Sequence, residues 1–88
     1  MNRFAYTYVL KCGDNENWYI GSTDDLTRRI RQHENGWGGL TTAKERIDLI
    51  YFEACRSLAE ARRREKQLKT GFGRAYLNRR LAFEMKLK

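Results

Sequence analysis

Residues 4–12, Phe-Ala-Tyr-Thr-Tyr-Val-Leu-Lys-Cys, are dense in aromatic and β-branched side chains. The polar cluster Gly13-Asp14-Asn15-Glu16-Asn17 follows, and then a second run of the first kind, Trp18-Tyr19-Ile20-Gly21. Such runs fit a pleated, half-buried surface, and the cluster between them supplies turn residues. An antiparallel hairpin is therefore expected at the start of the chain. Alternation places Tyr6, Tyr8 and Leu10 on one face of its first strand. On the second strand Tyr19 and Gly21 share a face opposite Trp18 and Ile20.

The remaining elements follow from local signals. Ser22-Thr23-Asp24-Asp25 offers capping hydroxyls and first-turn carboxylates for a helix over roughly residues 24–35, which Gly36 ends. Residues 36–46, with three glycines, read as a loop, and residues 48–55 as a third strand. Ser57-Leu58-Ala59-Glu60 is a capping box that opens a helix to about Lys69. Thr70-Gly71-Phe72-Gly73 reads as a break. Residues 74–87 then form a last helix with Leu77, Leu81 and Met85 toward the core. The order β-β-α-β-α-α predicts an α+β fold, a small three-stranded antiparallel sheet flanked by helices. At 88 residues, 1–88 is expected to form one domain without room for a second core.

Composition narrows the function classes. No apolar run approaches the roughly 18 residues of a membrane span, and residues 1–5 lack a signal-peptide apolar segment. A cytoplasmic location without membrane contact is the expectation. Cys12 and Cys55, each inside an apolar run, read as small hydrophobes rather than a disulfide framework or a zinc set. The net charge of +7 is lopsided. Residues 1–55 carry 7 Lys/Arg against 8 Asp/Glu, whereas residues 56–88 carry 11 against 3. A basic C-terminal part suits a polyanionic partner such as nucleic acid, although a merely solvated basic surface has the same composition.

A few side chains occupy positions that folding alone does not favour. Leu58, Ala61 and Leu68 define a helical stripe whose missing position is Glu65. A carboxylate facing a core needs a cation, and either a salt bridge to a nearby Arg or a metal ion meets that need. On the first helix Arg29 and His33 lie on the apolar side of Leu26 and Ile30. A snorkelling Arg and a hydrogen-bonded structural His account for them equally well. Tyr6, Tyr8 and Tyr19 share one hairpin face, which is ordinary sheet packing unless both helices cover that face. In that case phenols, Arg29 and Glu65 converge. Such a set suits phosphodiester hydrolysis. A guanidinium binds phosphate as a fork, a lone carboxylate suits Mg²⁺, and a phenol serves as base if its pKa of about 10 is lowered locally.

At these residues the sequence resembles the GIY-YIG nuclease superfamily, in particular its small single-domain branch. Tyr6-Thr7-Tyr8 stands for the family's first motif, with Tyr6 where many members have Gly, and Tyr19-Ile20-Gly21 for the second. Tyr8 and Tyr19 are 11 residues apart, and Arg29 follows Tyr19 by 10. Residues 19–33 and the stretch Arg64-Glu65-Lys66-Gln67-Leu68-Lys69 are similar to that branch, and the likeness covers nearly the whole chain. Ser22 stands where repair-type members carry a Lys, and Ile47 where Pro is usual.

The resemblance implies a metal-dependent endonuclease that hydrolyses phosphodiester bonds in DNA. Tyr19 is the implied general base, oriented by Tyr8, with His33 assisting. Arg29 holds the scissile phosphate, and Glu65 is the single protein ligand of Mg²⁺ or Mn²⁺. Gly21 allows close approach of backbone and substrate. Thr42, Lys44 and Asn78 are implied substrate contacts. Nucleic acid is the expected partner, DNA ahead of RNA, and the expected state is a monomer. A non-catalytic nucleic-acid-binding module on the same scaffold is the alternative, followed by a basic structural or ribosome-associated protein.

Overall fold

In the computed structural model the described residues are 3–12, 18–35 and 47–82, without the Cys12 side chain. The expected turn at 13–17, the 36–46 loop and Met85 lie outside them. Strands β1 (Ala5–Cys12), β2 (Trp18–Thr23) and β3 (Ile47–Cys55) alternate with helices α1 (Leu26–Glu34), α2 (Leu58–Leu68) and α3 (Gly71–Arg80) in the order β1-β2-α1-β3-α2-α3. The sheet runs β2-β1-β3 with both neighbours antiparallel to β1. The α+β architecture expected from the sequence is the one observed.

The most buried strand is the central one, and Tyr8, Val9 and Leu10 of β1 are completely buried. Val9 packs with Leu68 of α2 and with Leu77 and Leu81, and Trp18, Ile20, Ile50, Tyr51 and Tyr76 surround this cluster. A register shift aids that packing. Val9 pairs with Tyr51 and Leu10 with Leu49, which leaves Ile50 as an extra residue opposite β1. Such a bulge re-aims a side chain, and Ile50 joins the core. On the same face Thr7 donates a 2.7 Å hydrogen bond to the Ala61 carbonyl of α2, so its buried hydroxyl is satisfied.

A polar brace closes this side. The Arg64 guanidinium grips both oxygens of Glu53 at 2.8 and 3.0 Å and lies 5.2 Å from the centre of the Tyr76 ring. The Tyr51 hydroxyl donates to Glu53 and sits 3.0 Å from the Tyr76 hydroxyl. Burial, then the bond to Glu53, pushes the Tyr51 phenol well above its ordinary pKa. The brace thus joins β3, α2 and α3 through one charged fork and two phenol hydroxyls.

The helices therefore occupy opposite faces. Tyr8, on the face away from Val9, meets His33 of α1, whereas Thr7 and Val9 meet α2 and α3. Of the arrangements left open by the sequence, the one with both helices on the tyrosine face is not the one observed. Three boundaries also differ. Ser22 and Thr23 continue β2 by pairing with Thr7 and Tyr6, so they are strand rather than cap. The N-cap of α1 is Asp25, whose carboxylate accepts the Arg28 N–H at 3.0 Å. The supposed break at 70–73 is a helix start, because Thr70 caps α3 by accepting from the Gly73 N–H. The capping box at Ser57 is found as expected, with its hydroxyl accepting from the Glu60 N–H at 3.1 Å.

Candidate active site

Three elements bring three rings together on the α1 face. Tyr8 from β1 lies beside Tyr19 from β2 with ring centres 6.2 Å apart. The His33 ring meets Tyr19 at 4.9 Å in an edge-on arrangement and places its Nε2 3.1 Å from the Tyr8 hydroxyl. His33 is the buried side chain of α1, at 3% exposure. The 3.6-residue period sets Arg29 one turn earlier on the same side. Its positive charge acts on the Tyr8 phenol. Tyr8, Tyr19 and His33 are thus brought together with Arg29 near Tyr8, whereas Glu65, conditionally expected to converge with the phenols and Arg29, is not on this face.

The electrostatics separate the two phenols' surroundings from bulk water. Burial, aided by the neighbouring Tyr19, pushes the Tyr8 hydroxyl up to about 12, against the pull of Arg29. Tyr8 is therefore a neutral hydrogen-bonding group at ordinary pH. Burial and then the Arg29 charge push the His33 imidazole below its usual value, so it too is held neutral.

Gly21 is what lets Tyr8 sit there. It pairs with Tyr8 across β1 and β2. A Cβ at position 21 would lie 2.6 Å from the Tyr8 hydroxyl oxygen, 2.7 Å from Cζ, and 3.0 Å from Cε2 of Tyr19. The glycine thus makes room for the phenol of its own site, a role the sequence alone did not reveal.

Glu65 approaches from the opposite face, along the edge strand β2. Ser22 donates to Glu65 Oε1 at 2.7 Å, and Lys69 donates to Oε2 at 2.7 Å. Burial alone would raise this carboxyl, but the bonds from Lys69 and Ser22, with the charges of Lys69 and Arg62, together hold it below the usual carboxylate range. It is an anion, with its side chain 22% exposed. Its charge is also felt by the Tyr8 phenol. Of the readings open at the sequence level, a salt bridge is observed, with Lys69 rather than an arginine.

A hard cation is compatible with this carboxylate. Mg²⁺ and Mn²⁺ accept one carboxylate with water and phosphate oxygens completing the shell. Among the described residues no group of three or more His, Cys, Asp and Glu gathers, so a zinc-type set does not fit. Cys55 is a half-buried free thiol.

The other expected contacts are Thr42, Lys44 and Asn78. Thr42 and Lys44 lie outside the described residues. Asn78 is exposed on α3. Ser22 and Lys69 were not singled out from the sequence as site residues. Lys69 was legible as the i+4 partner of Glu65. Ser22 was not, because its contact depends on β2 continuing past Gly21. A groove of about 630 Å³ opens near the N-terminal end of α1, lined by Arg3, Phe4, Tyr6, Leu26, Arg28 and Phe52 among others. Among the described residues no helix is long and apolar enough to cross a membrane.

The family model of the GIY-YIG catalytic domain matches residues 4–80. A UPF0213 protein of Haloquadratum walsbyi is 35% identical over 71 residues, which covers 80% of this chain and 79% of the relative. A UPF0213 protein of Clostridium perfringens is 42% identical over 65 residues, 73% of this chain and 69% of the relative. The UPF0213 protein YazA of Bacillus subtilis is 38% identical over 65 residues, 73% and 65% of the two chains. The names of these relatives state no activity. No solved structure gives a significant match. With the family model spanning all six elements from β1 to α3, the chain belongs to the GIY-YIG family, a superfamily of nuclease type.

Proposed function

We propose that the protein is a metal-dependent endonuclease acting on DNA. The observation that carries this reading is the gathering of Tyr8, Tyr19 and His33 with Arg29 near Tyr8, while Ser22 of the same strand pair holds the Glu65 carboxylate from the other face. Arg62 and Lys66 on α2 are exposed beside Glu65 and supply the general attraction for a polyanion.

Each group has a task that its surroundings suit. Tyr19, in its phenolate form, would take the proton of the attacking water and become the phenol. Tyr8 stays protonated and fixes the geometry around Tyr19 through its bond to His33. Arg29 binds the scissile phosphate and meets the charge that grows on its oxygens. Glu65 holds the cation. When bound, Mg²⁺ or Mn²⁺ supplies positive charge to the phosphate and the leaving oxygen.

Labelled DNA duplexes, flaps, junctions and single strands, with RNA alongside, test the reading in Mg²⁺, in Mn²⁺ and in EDTA. Cleavage that needs the metal and is absent in Glu65→Ala is the expected result. Glu65→Ala should still bind DNA, at least as well as the parent, since it removes a negative charge. Binding without cleavage in every condition would leave the non-catalytic module as the function.

A further inference from the structure

We infer that Lys69 is a built-in counter-ion at Glu65 which a divalent cation must displace, so that metal loading and release of Lys69 are a single event. The inference rests on the reading of Glu65 as the metal carboxylate. It concerns how that carboxylate is kept before the metal arrives.

Both Glu65 oxygens are engaged, and by unlike groups. Oε1 accepts from the neutral Ser22 hydroxyl at 2.7 Å. Oε2 accepts from the Lys69 ammonium, also at 2.7 Å. A carboxylate oxygen has two lone pairs, so a hydroxyl can remain on Oε1 beside a metal ion. The ammonium cannot remain so easily, because it brings a full positive charge to the atom the metal needs. Mobility points the same way. Ser22 is a short side chain on a paired strand. The Lys69 side chain is 51% exposed on a flexible four-carbon stem and can turn to water.

The pair is also in the favourable orientation, Glu four residues before Lys on one helix. The carboxylate is thereby kept ionised, in place and electrically balanced without a metal. The same bond lowers the apparent affinity for the metal, and by linkage the metal lowers the stability of the pair by an equal factor. Lys66 is exposed and neighbours Glu65 in sequence, yet no ion pair joins them. It therefore serves as a control for charge alone.

The test is Mn²⁺ binding to the intact protein without nucleic acid, read by electron paramagnetic resonance of free Mn²⁺ and by water-proton relaxation. The proteins are the parent, Lys69→Met, Lys69→Arg, Lys66→Met and Glu65→Ala. Displacement predicts that Lys69→Met binds Mn²⁺ about three- to fivefold more tightly than the parent, the worth of a partly exposed ion pair. Lys66→Met should change affinity by less than about twofold, the smaller effect of an unpaired surface charge. Lys69→Arg keeps the charge and should gain nothing. Equal gains in Lys69→Met and Lys66→Met, or no gain in Lys69→Met, overturn the inference and leave the metal site itself standing. If the parent and Glu65→Ala bind Mn²⁺ alike, the metal role of Glu65 fails, and the inference with it.

Discussion

The Tyr8 hydroxyl and His33 Nε2 meet at 3.1 Å inside the protein, across 25 positions of the chain. This contact joins the middle strand of the sheet to the buried residue of α1, and so orients the helix that carries Arg29. Tyr8→Phe keeps the ring and removes the hydroxyl that makes this bond. It should destabilise the fold by about 1–3 kcal/mol, the cost of stranding a buried polar partner. Urea unfolding measures it, and a loss near zero would show that α1 is held by its other contacts.

His33 gives the fold a pH dependence. Burial, then Arg29, holds its pKa below the ordinary value, so the folded chain keeps the ring neutral where the unfolded chain protonates it. The unfolded state then binds more protons, and stability rises with pH over that interval. The contribution is complete above about pH 6.5 and is lost as pH falls from there through the depressed folded value. The parent should lose more stability than His33→Gln on going from about pH 7.5 to about pH 5.5. Identical losses in urea melts of the two proteins would place the acid sensitivity elsewhere.

Gly21→Ala tests the space beneath the Tyr8 phenol. The new methyl would stand 2.6 Å from the Tyr8 oxygen, and Tyr8 is completely buried and cannot swing away. Overpacking of this kind costs about 1–3 kcal/mol. Cleavage should fall as well, with every proposed catalytic side chain still present. A variant as stable and as active as the parent would mean that the strands separate at no cost.

Tyr19→Phe separates chemistry from structure. The phenylalanine ring retains the edge-on contact with His33 at 4.9 Å. Stability should therefore change by less than about 1 kcal/mol. The single-turnover rate should fall by about 10²-fold or more, the usual worth of a general base. A parental rate would transfer the base role to another group.

Gly73 and Gly71 form an internally controlled pair. Helix propensity favours alanine over glycine by about 1 kcal/mol. At Gly73 the added carbon would run into the Gln67 carbonyl oxygen and the Leu68 backbone, which cannot yield cheaply. Gly73→Ala should lose about 2 kcal/mol or more. At Gly71 nothing lies within 4 Å of the added carbon, so Gly71→Ala should be neutral or gain up to about 1 kcal/mol. Thermal melts of both variants check the sign of each effect.

The strands and the capping box were legible because they are local, as in the Phe4–Cys12 run and the Ser57 hydroxyl that caps α2. The candidate site was legible as a set of residues, through spacing and the resemblance, but not as a geometry. Which face each helix covers depends on connections that no short window contains. For the same reason Ser22, paired with Thr7 in the sheet, was taken for a helix cap. Thr70-Gly71-Phe72-Gly73 misled for a different reason. Two glycines suggest a break, whereas Gly73 is needed where the first turn of α3 presses on the end of α2.

Gly21 and Ser22 are consecutive residues of one strand, and they serve the two halves of the site from opposite sides of the sheet. The first leaves space for the phenol of Tyr8, and the second fastens Glu65. A single peptide link thus acts as the gauge that sets how far the Tyr8 ring stands from the anion. Backbone pleat has a fixed dimension, so this spacing does not depend on the length or sequence of any loop. Variation in the connecting segments can alter which substrate enters while the reacting groups keep their separation.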